Sequence, residues 1–289
     1  MARIALVTCA AFPELDIDDQ LLLEPLRALG AEPSVQVWND PDVDWAQFDL
    51  VVIRSTWDYT WHHEQFLTWA ARVEASGRLA NPLAVISWSA DKSYLRDLEA
   101  AGVPVVPTQF VAPGQAWVLP AGEFVIKPSI SAGSRDTVRL SRASAGDQAV
   151  LALHRQGRVA MIQPYLSRVD VDAETALVFF AGALSHAVSK AALLPLDAES
   201  PAFQRGLFLS EKIARREPRP EQIAVASAAL QCAPANWLYA RVDLIDDDSG
   251  QPVVLELELV EPSLFLGSRS TGEPAKALAQ LIVDRARLG

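Results

Sequence analysis

Cysteine and histidine are scarce, at two and four in 289 residues. Cys9 and Cys232 are too few for a disulfide framework or a thiolate metal site, and both stand in apolar surroundings that suit buried small hydrophobes better than a redox pair. His62 and His63 are adjacent, while His154 and His186 are isolated from cysteine or carboxylate at ligand spacing, so no zinc pattern arises. Positive charge is also in deficit. A formal net charge of -11 argues against a nucleic-acid backbone or an anionic membrane surface as the main partner, although a small anion met by a local basic patch is compatible with it. No uncharged apolar run is long enough to span a membrane. The start, MARIALVTCAAFPELD, gives way quickly to Pro13 and the acidic Glu14, Asp16, Asp18 and Asp19; it reads as a strand and a loop, with no signal peptide, and points to a cytoplasmic protein. The GxGxxG fingerprint is missing after the first strand, the Walker GxxxxGK is missing at Lys127, and Ser55 has no GxSxG context. A nicotinamide enzyme and a serine hydrolase are therefore disfavoured.

What is abundant is apolar: 50% of the residues are hydrophobic, enough for a large core in one α/β domain or in two or three smaller units. Apolar strands at 3–9, 34–38, 48–56 and 83–87 alternate with helices at 18–30 and 63–77. That alternation predicts a mostly parallel sheet covered on both faces, an N-terminal unit ending at about residue 86. A helix ending at Gly102, a proline-bearing strand, strands 123–129 and 137–141 around a small polar loop, a helix from Ser144 and a strand at 159–166 follow. Beyond them come two strands within 174–193 turned at Ala181-Gly182, a helix at 221–233, paired strands at 238–248 and 251–262, and a closing helix at 272–289. Residues 194–220 are long for a connection and read as a lid or substrate loop.

With a period of two, VVLELELVEP puts Leu255, Leu257 and Leu259 on one face and Val254, Glu256, Glu258 and Val260 on the other. On the strand expected opposite, Arg241 and Asp243 share a face and fall across from Glu256 and Glu258. Three carboxylates and an arginine so placed make either an oxygen cage for a hard cation such as Mg2+ or an arginine–carboxylate network. Asp246, Asp247 and Asp248 fall in the turn and are expected to be solvated. Lys127, inside FVIKP, is either a snorkelling ammonium or a point charge for phosphate, the latter favoured by the small-residue loop SAGSRD whose N–H groups can converge on an anion. Lys92 stands at a helix start, where a phosphate is favoured and a lone lysine is not. RSTWDYTWHH follows a strand end, the usual place for ligands in open α/β sheets, so Arg54, Trp57, Asp58 and Tyr59 are substrate contacts or a structural Trp-Arg cluster.

In their order along the chain, the DK at 91–92, the strand lysine before a small-residue loop, QPYL at a strand end, the Arg-x-Asp strand and the acidic strand ending at Pro262 resemble an ATP-grasp enzyme. The resemblance covers essentially the whole chain and is closest to the glutathione-synthetase-like branch. It implies an α/β and α+β architecture in which a parallel-sheet domain (1–86) faces the substrate and two subdomains (87–166 and 167–289) clasp ATP. It implies that Lys92 and Lys127 touch the phosphates beneath a flap of Ser131, Ala132, Gly133, Ser134 and Arg135. Gln163, Pro164, Tyr165 and Leu166 match the hinge around adenine, and Glu174, ahead of Asp172 or Asp170, falls near the ribose. Asp243, Glu256 and Glu258 match metal ligands for two Mg2+ ions, with Mn2+ as a substitute; Glu258 stands where the pattern usually has asparagine. Arg241, Lys190 and Arg269 match the basic groups of the catalytic centre, and Ser268 and Ser270 lie where the substrate carboxylate is often held. Within the branch, RSTWDY, the NP…DK segment and LELELVEP are similar to ligases that close O-ureido-D-serine into a ring. The implied activity is ATP-dependent carboxylate–amine ligation through an acyl phosphate on a small amino-acid-like substrate. Ring closure is one form and the joining of an amino acid or peptide to an amine the other, with a non-catalytic nucleotide binder as the reading from a different class. Homo-oligomers are common among such enzymes, and no sequence patch marks an interface.

Overall fold

Along β1 (Arg3–Thr8) successive side chains leave the strand on opposite faces, and both faces are apolar. Ile4 and Leu6 join one cluster, with Leu22, Leu26, Leu278 and Ile282; Ala5 and Val7 join another, with Phe66, Trp69 and Val73. Such a strand has to be covered twice, and it is. The computed structural model describes residues 1–75, 79–198, 212–268 and 272–288. After α1 (Leu23–Ala28), β2 (Glu32–Val37) and β3 (Leu50–Ser55) flank β1 in a parallel sheet of order β2-β1-β3. α2 (His63–Glu74) covers one face. The other is covered by α1 and by the helix that closes the chain.

The fourth strand expected at 83–87 is instead α3 (Leu83–Ser89). Asn81-Pro82 leads into it, with Pro82 at φ -59° and ψ 155°, and Val85, Ile86 and Ser89 are buried at helical spacing. A short apolar run carries no period of its own, so strand and helix look alike in it; at the sheet edge only the bridge Val51–Leu79 forms. α4 (Tyr94–Ala100) is shorter than expected and ends into Gly102, whose φ of 80° stops it.

A second sheet, order β4-β7-β5-β6, is antiparallel throughout. Its strands are β4 (Gln109–Val111), β5 (Phe124–Pro128), β6 (Val138–Leu140) and, after α5 (Ala143–Arg155), β7 (Ala160–Pro164). The short α6 (Val169–Asp172) leads to the third sheet, order β10-β9-β8-β11-β12. Here β8 (Glu174–Phe180) and β9 (Ala183–Lys190) turn through Ala181 and Gly182, both at positive φ as a tight hairpin requires. β10 (Ile213–Arg216) pairs with β9, which places part of the 194–220 stretch in the sheet; residues 199–211 lie outside the described residues. α7 (Pro220–Cys232) packs on the apolar face of β11 (Tyr239–Asp246) and β12 (Pro252–Glu258), and α8 (Glu273–Leu288) is the helix that returns to the first sheet.

Register decides the opposite face of β11 and β12. Arg241 lies across from Glu258 and Asp243 from Glu256, as the strand pattern predicts. The next pair is Leu244 with Val254, so Leu255 is the extra residue of a bulge. The bulge corrects the expected faces: Val254 packs in the core with Leu257 and Leu259, while Leu255 turns to the side of Glu256. Asp246 is likewise not solvated. It is buried and paired with Arg219 at 2.8 Å. Among the described residues no helix is long and apolar enough to cross a membrane.

Candidate active site

The polar face of β11 and β12, the β5–β6 hairpin and the loops after β1 and β3 enclose a cavity of about 490 Å3. One end is apolar, walled by Val106, Val125, Leu166, Val169, Ile245 and Leu255 beside Gln163, Pro164 and Tyr165. Gln163 directs its amide to Thr108 at 2.7 Å, and the Tyr165 N–H is taken by the Glu123 carbonyl at 2.9 Å. Leu166 therefore supplies the N–H of this edge that has no partner among the described residues. The Tyr165 hydroxyl donates to Asp170 at 2.6 Å, and Arg139 lies over its ring at 3.5 Å. Of the three acidic candidates near this end, Glu174 lines the cavity; Asp170 and Asp172 are held outside it by Arg139 and Arg168.

The middle is a bed of alternating charge. Lys92 donates to the Ser131 carbonyl at 2.6 Å and pairs with Glu256 at 3.0 Å. Lys190 pairs with Asp243 at 2.9 Å and Glu174 at 3.1 Å. Arg241 grips Asp243 through two nitrogens, at 2.8 and 2.9 Å, and reaches Glu258 at 2.5 Å. These contacts fix the titration of the group. Burial opposes ionisation of Asp243, but Arg241 and Lys190 overcome it and hold the carboxyl below its usual range. Burial is likewise overcome at Glu256, by Lys92 and Lys127, whereas at Glu258 burial prevails over Arg241 and the carboxyl is pushed up. Lys127 is buried and pushed down by that burial, with Glu256 as a partial offset. Among the described residues no three His, Cys, Asp or Glu side chains converge tightly enough to hold a metal. The three carboxylates expected to do so are each bound by a cation, although their oxygens are the donor type that a hard divalent ion prefers.

Ser131, Ala132, Gly133 and Ser134 line the cavity above Lys92 and Lys127. Arg135, next in the same loop, sits 4.1 Å over the ring of Trp61, so the flap touches the segment after β3. The far end is aromatic and acidic: Trp57, Tyr59, Asp16, Asp18 and Glu261. Asp18 accepts from the N–H groups of Leu266 and Gly267 at 2.8 and 2.9 Å.

Most of the sequence-derived site thus meets in one cavity, but Arg54 and Asp58 do not. Arg54 is fully buried, paired with Asp19 at 2.9 Å, bonded to the Pro262 carbonyl at 2.6 Å and set against the ring of Tyr239. Asp58 accepts from Trp38 at 2.9 Å. Both support the loop from behind. Ser268 does not line the cavity either, its hydroxyl being buried without a hydrogen-bond partner, and Arg269 and Ser270 lie outside the described residues. Sequence reasoning missed Asp16 and Asp18, whose signal was the acidic cluster just past the first strand, and Glu261 and Leu255, which carried no signal beyond their strand.

Solved structures share this architecture. A D-alanine–D-alanine ligase from Bacillus anthracis complexed with ATP superposes with a TM-score of 0.68 at 13% identity, covering 100% of this chain and 98% of that one. An ATP-grasp RimK domain protein from Sphaerobacter thermophilus DSM 20745 gives 0.69 at 17% identity, covering 98% and 100%. These likenesses show the fold, that of the ATP-grasp proteins. A sequence family described as the N-terminal domain of D-cycloserine synthetase DcsG matches residues 4–81. The cycloserine biosynthesis protein DcsG of Streptomyces lavendulae is 37% identical over 306 aligned residues, 99% of each chain, and the crystal structure of D-cycloserine synthetase DcsG superposes with a TM-score of 0.87 at 36% identity, covering 99% of this chain and 100% of that one. The chain belongs to the DcsG family.

Proposed function

We propose that the protein uses ATP to activate a substrate carboxylate as an acyl phosphate and then closes a ring, converting O-ureido-D-serine towards D-cycloserine. One observation carries the reading: a single cavity runs from an apolar hinge through the lysine–carboxylate bed to an aromatic, acidic end, in a chain that matches D-cycloserine synthetase along its length. A carboxylate is a poor electrophile, and transfer of the γ-phosphoryl group breaks its bond to ADP and gives the acyl carbon a leaving group. The Tyr165 carbonyl and Leu166 N–H read the adenine edge between apolar walls that include Ile245 and Leu255. Lys92 and Lys127 meet the phosphates, while Lys190 and Arg241 offset charge as it moves to the acceptor.

Asp243, Glu256 and Glu258 have the oxygen donors that would hold Mg2+, and the ion would supply positive charge against the phosphates. With a divalent ion as their partner in place of Lys92, Lys190 and Arg241, the three carboxylates would leave those cations to meet phosphate. The substrate's own N–O nitrogen then attacks the acyl carbon and phosphate leaves; the carbamoyl group on that nitrogen departs by hydrolysis as carbon dioxide and ammonia. Nucleophile and electrophile share one molecule, so proximity supplies much of the rate. The flap against Trp61 keeps water from the acyl phosphate.

The test is ADP release with O-ureido-D-serine alone, with the organic product followed. Formation of cycloserine is expected. Release that needs a second, separate amine overturns ring closure in favour of intermolecular ligation. Lys127→Ala and Glu256→Ala are each expected to cut turnover by at least about 100-fold with the fold retained, and normal turnover in both overturns the site.

A further inference from the structure

Among the described residues seven carboxylates line the cavity, and six of them are engaged: Asp16 by the N–H of Asp18, Asp18 by the N–H groups of Leu266 and Gly267, and Glu174, Asp243, Glu256 and Glu258 by lysine or arginine. Glu261 is different. It is 6% exposed, and among the described residues no lysine, arginine or other side-chain donor forms a hydrogen bond or ion pair with its carboxylate; Lys92 acts on it only at longer range, and its own backbone N–H is the donor beside it. The backbone that carries it is nonetheless firmly held. Trp57 donates to the carbonyl of Glu261 at 3.3 Å and Arg54 to that of Pro262 at 2.6 Å, while the Tyr239 hydroxyl, which donates to the Ile53 carbonyl at 2.7 Å, lies 3.2 Å from that of Val260. Two side chains thus fix two consecutive carbonyls and leave the acid beside them unmatched. A buried carboxylate without a counter-ion is costly, and a rigid one aimed into a cavity is arranged for a cationic ligand.

Its place says which cation. Glu261 follows the strand that carries Glu256 and Glu258, beyond the charged bed and beside Trp57 and Tyr59, at the end of the cavity remote from the hinge. A substrate whose carboxylate meets Arg241 carries any α-amino group one carbon further on. Resting on the ligase reading above, we propose that Glu261 is the counter-ion of the substrate's α-ammonium group, so that the enzyme takes free zwitterionic amino acids and rejects N-acylated or desamino analogues. The α-nitrogen cannot close a ring on its own acyl carbon, which would have three members, but as a free amine it can attack the acyl phosphate of another substrate molecule. With the α-nitrogen held as an ammonium it has no lone pair to offer, and the distal nitrogen is left to attack the acyl phosphate.

The test compares O-ureido-D-serine with its desamino analogue, in which hydrogen replaces the ammonium group, on wild type and Glu261→Gln, by ADP release. Wild type is expected to favour the ammonium-bearing substrate by about 10- to 100-fold in kcat/KM. In Glu261→Gln that preference falls to within a few-fold, through a raised KM for the amino acid, while the Kd of an ATP analogue measured by calorimetry is unchanged and reports an intact fold. Glu261→Asp, which keeps the charge, recovers part of the preference. A Glu261→Gln enzyme that retains the full preference overturns the assignment and leaves the ligase reading standing. A wild type that releases no ADP with O-ureido-D-serine or with any of a panel of amino acids overturns both.

Discussion

Glu258 and Glu261 are three residues apart, yet the half-buried Glu258 meets Arg241 at 2.5 Å while the buried Glu261 pairs with no cation among the described residues and feels Lys92 only at longer range. Burial, with Glu258 next, pushes Glu261 up to about 8. A carboxyl whose folded-state value lies above its unfolded one stabilises the protein below the unfolded value, and that contribution is lost as pH rises through the folded one. The ligand-free protein should therefore melt at a lower temperature at pH 9 than at pH 7. Glu261→Gln should flatten the decline and gain roughly 1–3 kcal/mol over wild type at pH 9, several degrees of melting temperature by calorimetry. A variant no more stable than wild type at pH 9 would contradict the burial argument. Substrate affinity and stability would then move in opposite directions on one substitution. At this scale the sequence was readable where placement follows from strand period and pairing, as for Arg241, Asp243, Glu256 and Glu258. It was unreadable where chemistry depends on a partner: nothing near Arg54 announces that Asp19, 35 residues earlier, neutralises it.

Elements were legible in the same proportion. The hairpin carrying Lys127, the β8–β9 turn and the opposition of β11 to β12 followed from apolar alternation and turn residues. The bulge at Leu255 did not, because an extra residue leaves the apolar pattern unchanged while exchanging which leucine is core and which is wall. α3 was misread for a related reason, since LAVIS satisfies both periods. The flap adds an element-scale prediction. Its Arg135 lies over Trp61, a ring 48% exposed and contributed by the segment after β3. Trp61→Ala removes a cation–π contact of about 0.5–2 kcal/mol. It should raise the KM for ATP a few-fold and speed amide exchange across 131–136 without lowering the melting temperature by more than about 2 °C. Unchanged exchange in the flap would show that Trp61 does not hold it.

Across the whole molecule, Asn81 links the segment before α3 to β11 and β12. Its amide donates to the carbonyls of Tyr239 and Leu259 at 3.0 and 2.6 Å and accepts from the N–H of Leu238 at 2.6 Å. Asn81→Ala leaves these buried groups unmatched and should cost roughly 2–4 kcal/mol, lowering the melting temperature by about 10 °C; a shift under about 2 °C would remove Asn81 from that role. The closing helix was visible as an amphipathic pattern, but not the surface it covers, because a period shows a face and says nothing of its neighbour. That surface is Ile4, Leu6, Leu50 and Val52, made at the opposite end of the chain. A ribosome adding about 5–20 residues per second delivers the first sheet roughly 10–50 s before α8 emerges to cover it. Throughout that interval this face of the first sheet has α1 over it but not α8. The nascent protein's exposure to aggregation and its need for a chaperone are thus greatest before the last helix arrives, long after the first strands have been made.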